Sequence, residues 1–217
     1  MPVLLHLDSS ADLATSRSRA ITRSFADEWR SQGDEFTVTY RDLHVDPLPR
    51  LADSSLHWAR HLRVAGSNPP AEAEALQDEI IAELFTADVL LIGAPMYNYS
   101  LPASLKAWID YIHVPGTTTQ TDAPRQPLAG RPAVFVTARG ASYDAGSPTE
   151  GWDHAIPVLE LILGTSLEMS TSVITTSLTL ADVVPDLADQ LERSQAELAA
   201  AHNAARSTAA QLARAFA

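Results

Sequence analysis

The chain has 217 residues, 46% apolar and 19% charged, a composition that supports an ordinary buried core. Its 15 basic and 27 acidic side chains leave a net charge of −12, which argues against a nucleic-acid backbone or an anionic membrane as partner. It has no cysteine, which excludes disulfides, thiolate nucleophiles, zinc–cysteine sites and iron–sulfur clusters.

The opening MPVLLHLDSS carries no basic segment before its short apolar run and no cleavage signature after it, so it does not read as a signal peptide. No apolar run approaches the ~18 residues of a membrane-spanning helix, and the expectation is a soluble, cytoplasmic protein. Residues 3–7 read as a first strand. A hydroxyl-rich loop, DSSADLATSRS, follows over 8–18 and ends in helix-capping residues. Ile21, Phe25 and Trp29 recur at four-residue spacing, the apolar stripe of a helix that stops near Gly33. Phe36, Val38 and Tyr40 alternate with Thr37 and Thr39, the pattern of a second strand. Residues 44–70 read as an excursion with a short helix around Trp58 and Leu62, closed by GSNPP. His57 and His61 pair at helical spacing there, with neither cysteine nor a carboxylate pattern beside them, so no metal site is expected.

Residues 71–85 form a helix with Leu76, Ile80, Ile81 and Leu84 on one side. Residues 89–94 have the length and residue types of a buried strand. That run breaks at Pro95 into Met96-Tyr97-Asn98-Tyr99 and restarts as an amphipathic helix near Pro102. A long polar loop spans 114–130, a further buried strand 132–137, and Pro148-Thr149-Glu150 reads as a helix start. The last strand is expected at 169–174. An Ala-rich segment over 185–216 reads as one long C-terminal helix.

Strands separated by helices imply a parallel sheet with right-handed crossovers. Five strands fit an α/β, flavodoxin-like architecture of order 2-1-3-4-5 with helices on both faces, the whole chain forming one domain. Ligands then bind at the carboxyl ends of strands 1, 3 and 4, where three chemically distinctive loops fall. In the first, Ser10, Ser16 and Ser18 and the N–H groups of residues 16–18 can surround a phosphate at a helix N-terminus, with Arg17 offsetting part of its charge. The same serines would serve equally as helix caps. In the second, Pro95, Met96, Tyr97, Asn98 and Tyr99 offer rings and sulfur for the faces of a flat heteroaromatic ligand, with amides for its rim. Plain core packing is the alternative. In the third, Ala138-Arg139-Gly140-Ala141 allows close backbone approach because glycine has no Cβ, and Tyr143 can stack or donate. An ordinary turn is the alternative there. No G-x-G-x-x-G fingerprint, Walker motif or G-x-S-x-G elbow occurs.

The stretch APMYNYSLPASLKAWID resembles the A-P-M-Y-N-F-x-x-P-x-x-L-K-x-x-x-D signature of the FMN-dependent NADH azoreductases, which are also NADH:quinone oxidoreductases. By that resemblance Ser10, Ser16, Arg17 and Ser18 hold the FMN phosphate. Pro95, Met96, Tyr97, Asn98 and Tyr99 line the isoalloxazine, with Asn98 on its polar edge, and Ala138, Arg139, Gly140 and Ala141 contact its pyrimidine side. The resemblance also implies a homodimer and ping-pong, flavin-borne transfer of two electrons from NADH or NADPH to a quinone, azo or other aromatic acceptor, without a catalytic side chain. A flavodoxin-like electron carrier or a non-catalytic flavin-binding protein is the alternative. The chain departs from the pattern in three places. Ala138 stands where the family usually has serine. Residues 116–121 read GTTTQT where it commonly has G-V-T-F-x-Y, which strips aromatic walls from a substrate pocket expected to include Tyr143 and Thr119. The C-terminal helix is longer than usual.

Overall fold

Runs of leucine and β-branched side chains, each too short for a helix, settle as five strands: β1 (Val3–Asp8), β2 (Thr37–Asp42), β3 (Val89–Gly93), β4 (Pro132–Ala138) and β5 (Ser170–Thr176). The computed structural model, which describes residues 1–120 and 122–216, pairs them in one parallel sheet of order β2-β1-β3-β4-β5. This is the order expected from the βα alternation. The helices are α1 (Arg17–Arg30), α2 (Ala71–Thr86), α3 (Ala103–Ile112), α4 (Ile156–Leu159, running on as a π-helical stretch over Glu160–Ser166) and α5 (Leu191–Ala213).

The two-residue period of the strands sends alternate side chains to opposite faces and so makes two cores. Leu5, Leu7, Leu90, Ile92 and Phe135 pack on one face against Ile80 and Leu84 of α2 and Leu105 and Trp108 of α3. Leu4, Leu91, Val134 and Val136 pack on the other against Ile21, Phe25 and Trp29 of α1. A column of small residues on α5, Ala201, Ala205, Ala209 and Ala213, closes that second core and lets α5 lie along α1. No helix among the described residues is long and apolar enough to cross a membrane.

Three local expectations are corrected. The excursion holds two 3-10 turns, Ser54–His57 and Arg60–Leu62, in place of a helix. Pro148-Thr149-Glu150 lies in turns, because Gly151 at φ 78° breaks the chain direction. The helix starts only at Ile156, where the Asp153 carboxylate accepts from the N–H groups of Ala155 and Ile156 at 2.9 and 3.2 Å. The C-terminal segment opens with a 3-10 turn, Pro185–Gln190, before α5 begins. The polar loop folds onto the excursion: the Ala59 N–H donates to the Pro115 carbonyl at 3.0 Å, and Gly116 abuts Leu62 and Ala59. Thr121, the last residue of its GTTTQT stretch, lies outside the described residues.

Candidate active site

All five strands run the same way, so their carboxyl ends share one rim. Asp8 of β1 stands beside Gly93 of β3, and Ser9 donates to the Gly93 carbonyl from both its N–H (3.2 Å) and its Oγ (2.7 Å). A side chain at residue 93 would collide with the Asp8 carboxylate and crowd the Thr22 methyl at 3.3 Å. The second and third loops are joined by the Met96 N–H, which donates to the Ala138 carbonyl at 3.0 Å. The segment after β5 joins the third loop in turn, as the N–H groups of Thr179 and Leu180 donate to the carbonyls of Arg139 (3.0 Å) and Gly140 (3.2 Å).

These ties enclose a cavity of about 490 Å³. Ser10, Ser16 and Arg17 line it from the first loop, Pro95, Met96 and Tyr97 from the second, and Ala138 and Gly140 from the third. Ser18, Asn98, Tyr99, Arg139 and Ala141 do not line it. Neither do Tyr143 and Thr119, the residues expected in a substrate pocket; Thr119 is bridged to Pro115 on the loop that packs against the excursion. Sequence reasoning missed Asp12 and Thr15, and it missed the wall formed by Thr179, Leu180, Asp182 and Val183. The signal for that wall was available, because a fifth parallel strand must end on the same rim. A larger hollow, about 630 Å³, opens beside the excursion around Trp58, Leu62 and Arg63, with no strand end behind it.

The first loop is tightly specified. The Asp12 carboxylate accepts from the Thr15 hydroxyl (2.6 Å) and from the N–H groups of Thr15 (2.8 Å) and Ala14 (2.9 Å), which hold its pKa below the ordinary value. Ser16 caps α1, its Oγ accepting from the Arg19 N–H at 3.4 Å and lying 3.1 Å from the Oγ of buried Ser18. The N–H groups of Arg17 and Ser18, the first of α1, have no partner within the helix. The Arg17 guanidinium is held by α5, Nη1 donating to the Ser194 Oγ at 2.8 Å, while that Oγ donates to the Leu178 carbonyl at 2.8 Å. Beneath the loop lies a polar cluster that sequence reasoning did not find: buried Asp8 and Arg19, part-buried Asp42 and the half-exposed Tyr40, with buried His6 Nε2 at 3.3 Å from the Asp8 carboxylate. Burial alone would raise the Asp42 pKa. The Arg19 guanidinium and the N–H groups of Val45 and His44 outweigh it and bring the carboxyl to about 2. Burial, with Asp8 and Asp42 nearby, pushes the Tyr40 phenol up to about 12.

The second loop is a two-residue hairpin. Tyr97 and Ser100 exchange N–H···O=C bonds at 2.9 and 3.0 Å around Asn98 (φ 49°) and Tyr99 (φ 68°), a left-handed pair of the type I′ kind. The Tyr97 hydroxyl accepts from the Ala11 N–H at 2.9 Å and shares a hydrogen bond with the Ser10 Oγ at 3.2 Å, bridging the first and second loops. The Tyr99 ring meets Trp152 edge-on at 5.5 Å. In the third loop, Arg139 donates from Nη2 and Nε to the Ser177 Oγ (2.8 and 3.2 Å), pairs with Asp153 at 3.4 Å and lies over the Tyr143 ring at 5.5 Å. Burial pushes the Tyr143 phenol up, so it stays protonated through the neutral range. A Cβ on Gly140 would come 3.0 Å from the Leu180 side chain, so glycine there lets the third loop and the segment after β5 pack closely.

A family described as having the flavodoxin-like fold matches residues 3–208. The chain is 58% identical over 212 residues to a Kineococcus radiotolerans protein named FMN-dependent NADH:quinone oxidoreductase, covering 98% of this chain and 100% of that one. It is 42% identical to a Frankia casuarinae protein of the same name, covering 93% and 97%. Among solved structures, an FMN-dependent NADH-azoreductase from Bacillus anthracis in complex with FMN superposes with a TM-score of 0.78 at 18% identity, covering 97% of this chain and 99% of that one.

Proposed function

Because the chain belongs to this family of flavodoxin-like fold, we propose that it is an FMN-dependent NAD(P)H oxidoreductase that delivers two electrons to quinone or azo-type acceptors. The observation that carries this reading is the convergence of three separate loops, all chosen from sequence, on one cavity at the rim of the sheet.

The residues present fit the cofactor. A hydroxyl cluster at a helix N-terminus suits a phosphate, and Pro95, Met96, Leu180 and Val183 are apolar walls for a flat ring. Bound there, FMN supplies the redox chemistry, the two-electron exchange between nicotinamide and acceptor. The chain's own part is binding and orientation. Ser10, Ser16 and the N–H groups of Arg17 and Ser18 at the start of α1 would hold the phosphate, favoured by the helix dipole. Asn98, held in the left-handed region, presents its carboxamide at the hairpin tip. Met96, Leu180 and Val183 exclude water from the ring faces, and Tyr143 holds its phenolic proton beside Arg139. Nicotinamide and acceptor use the same cavity in turn, which gives ping-pong kinetics. Action as one domain, a homodimeric state and a cytoplasmic location belong to the same proposal.

An absorbance spectrum of the purified protein, followed by anaerobic NADH and then a quinone, tests it. Flavin bands that bleach with NADH and return with the quinone are expected. A colourless protein whose melting temperature ignores added FMN would overturn the assignment, and slow bleaching would mark an electron carrier instead.

A further inference from the structure

Arg19 lies in the first turn of α1 and is nine-tenths buried, its side chain turned back beneath the first loop. Nε and Nη2 both donate to the Ser10 carbonyl, at 3.1 and 2.6 Å. Nη1 and Nη2 grip the two oxygens of Asp42, at the end of β2, at 2.6 and 2.8 Å. Nη1 also reaches the Tyr40 oxygen at 3.3 Å, and the Asp8 carboxylate stands 3.8 Å away. The guanidinium is thus spent on the protein and offers nothing to a ligand directly.

Its effect on the cavity is indirect. A peptide unit is planar and trans, so its C=O and N–H point in opposite directions. Drawing the Ser10 carbonyl down onto Arg19 aims the Ala11 N–H up, where it donates to the Tyr97 hydroxyl on the cavity wall at 2.9 Å. The Ser10 Oγ meets the same hydroxyl at 3.2 Å.

We propose that Arg19 is a positioning residue for the phosphate end of the cofactor. Its fork on the Ser10 carbonyl, braced by Asp42, aims the Ala11 N–H at the Tyr97 hydroxyl and so presets the linked Tyr97 and Ser10 hydroxyls to turn a donor toward the anion between the two loops. The inference rests on the FMN reading above. Two features of the site make aim decisive. Arg17, the basic side chain that lines the cavity, already gives Nη1 to Ser194 on α5, so oriented neutral groups carry much of the anion's binding. Asp12 and Asp182 line the same cavity and repel an anion that is not firmly held. Lysine cannot replace Arg19, because a single ammonium does not match a carbonyl and both oxygens of a carboxylate in one plane.

The test is a fluorescence titration of the full-length protein, stripped of flavin, with FMN and with riboflavin, which lacks the phosphate. Wild type, Arg19→Lys and Asp42→Asn are compared. Both variants should lose FMN affinity by about tenfold or more while riboflavin affinity moves by less than about twofold, with unchanged circular dichroism. Equal losses for the two flavins, or FMN affinity unchanged in both variants, would make Arg19 a merely structural residue and sink the inference. A wild type that binds neither flavin would overturn the FMN reading itself. If Arg19→Lys does not fold, Asp42→Asn, which keeps the arginine but removes the carboxylate that braces it, decides alone.

Discussion

Asn98 and Tyr99 turn the second loop with φ of 49° and 68°, a region that costs most L-residues roughly 1–2 kcal/mol and asparagine less. Asn98→Gly should therefore leave stability unchanged, while Asn98→Ala should lower the melting temperature by roughly 2–4 °C per kcal/mol lost. If the carboxamide touches the cofactor, flavin affinity falls equally in both, which separates the side chain's role from the backbone's. The polar cluster beneath the first loop makes a second prediction, in pH. The Asp42 carboxyl sits at about 2 against an ordinary 3.8, so its stabilisation is complete above the ordinary value and drains away as pH falls toward 2. Tyr40 sits at about 12 against 10.0, so the fold favours its protonated form, and that contribution is lost as pH climbs from 10 toward 12. Urea midpoints measured across pH should fall at both ends. Asp42→Asn should soften the acid limb and Tyr40→Phe the alkaline one. At this scale the sequence was partly legible. Hydroxyls clustered before a helix, and two phenols in a loop, announce themselves by type. Arg19 does not: an arginine inside a helix looks like any solvated one, and its partner Asp42 is 23 residues away.

Among the elements, the contact of α5 with α1 is the one most exposed to a change of size. Ala201, Ala205, Ala209 and Ala213 are small because Ile21, Phe25 and Trp29 stand against them. Ala205→Leu should overpack that seam and cost about 1–3 kcal/mol, whereas Arg206→Leu on the exposed side should stay within about 0.5 kcal/mol. Thermal melts of the two variants, one residue apart, check the direction the helix faces. The strands and their order were readable because buried parallel strands are nearly continuous apolar runs, as in Val89–Gly93, and helices between them leave few topologies. The misplaced helix start at Pro148-Thr149-Glu150 shows the limit of local signals. The capping residues are there, but Gly151 and the Asp153 cap move the true start to Ile156. The wall at residues 179–183 carries no motif, and only the parallel sheet puts it at the rim.

At the scale of the whole molecule, a net charge of −12 opposes an anionic cofactor approaching a cavity that already carries Asp12 and Asp182. Raising salt from about 10 to about 150 mM shortens the screening length from ~30 to ~8 Å. FMN association, followed by stopped-flow fluorescence, should speed up over that range, the reverse of a nucleic-acid binder. Once bound, FMN at about one hundred times its Kd should add ~2.7 kcal/mol of stability, read as a rise in melting temperature. One further consequence belongs to the cell's timing. Arg17 is anchored by Ser194, 177 positions further along the chain. At 5–20 residues per second, the ribosome needs roughly 9 to 35 s to travel from one to the other. Through that interval the nascent polypeptide has Arg17 but not the serine that holds it. Flavin loading is therefore expected only once α5 has emerged, and a chain cut short ahead of α5 should purify colourless, which an absorbance spectrum checks.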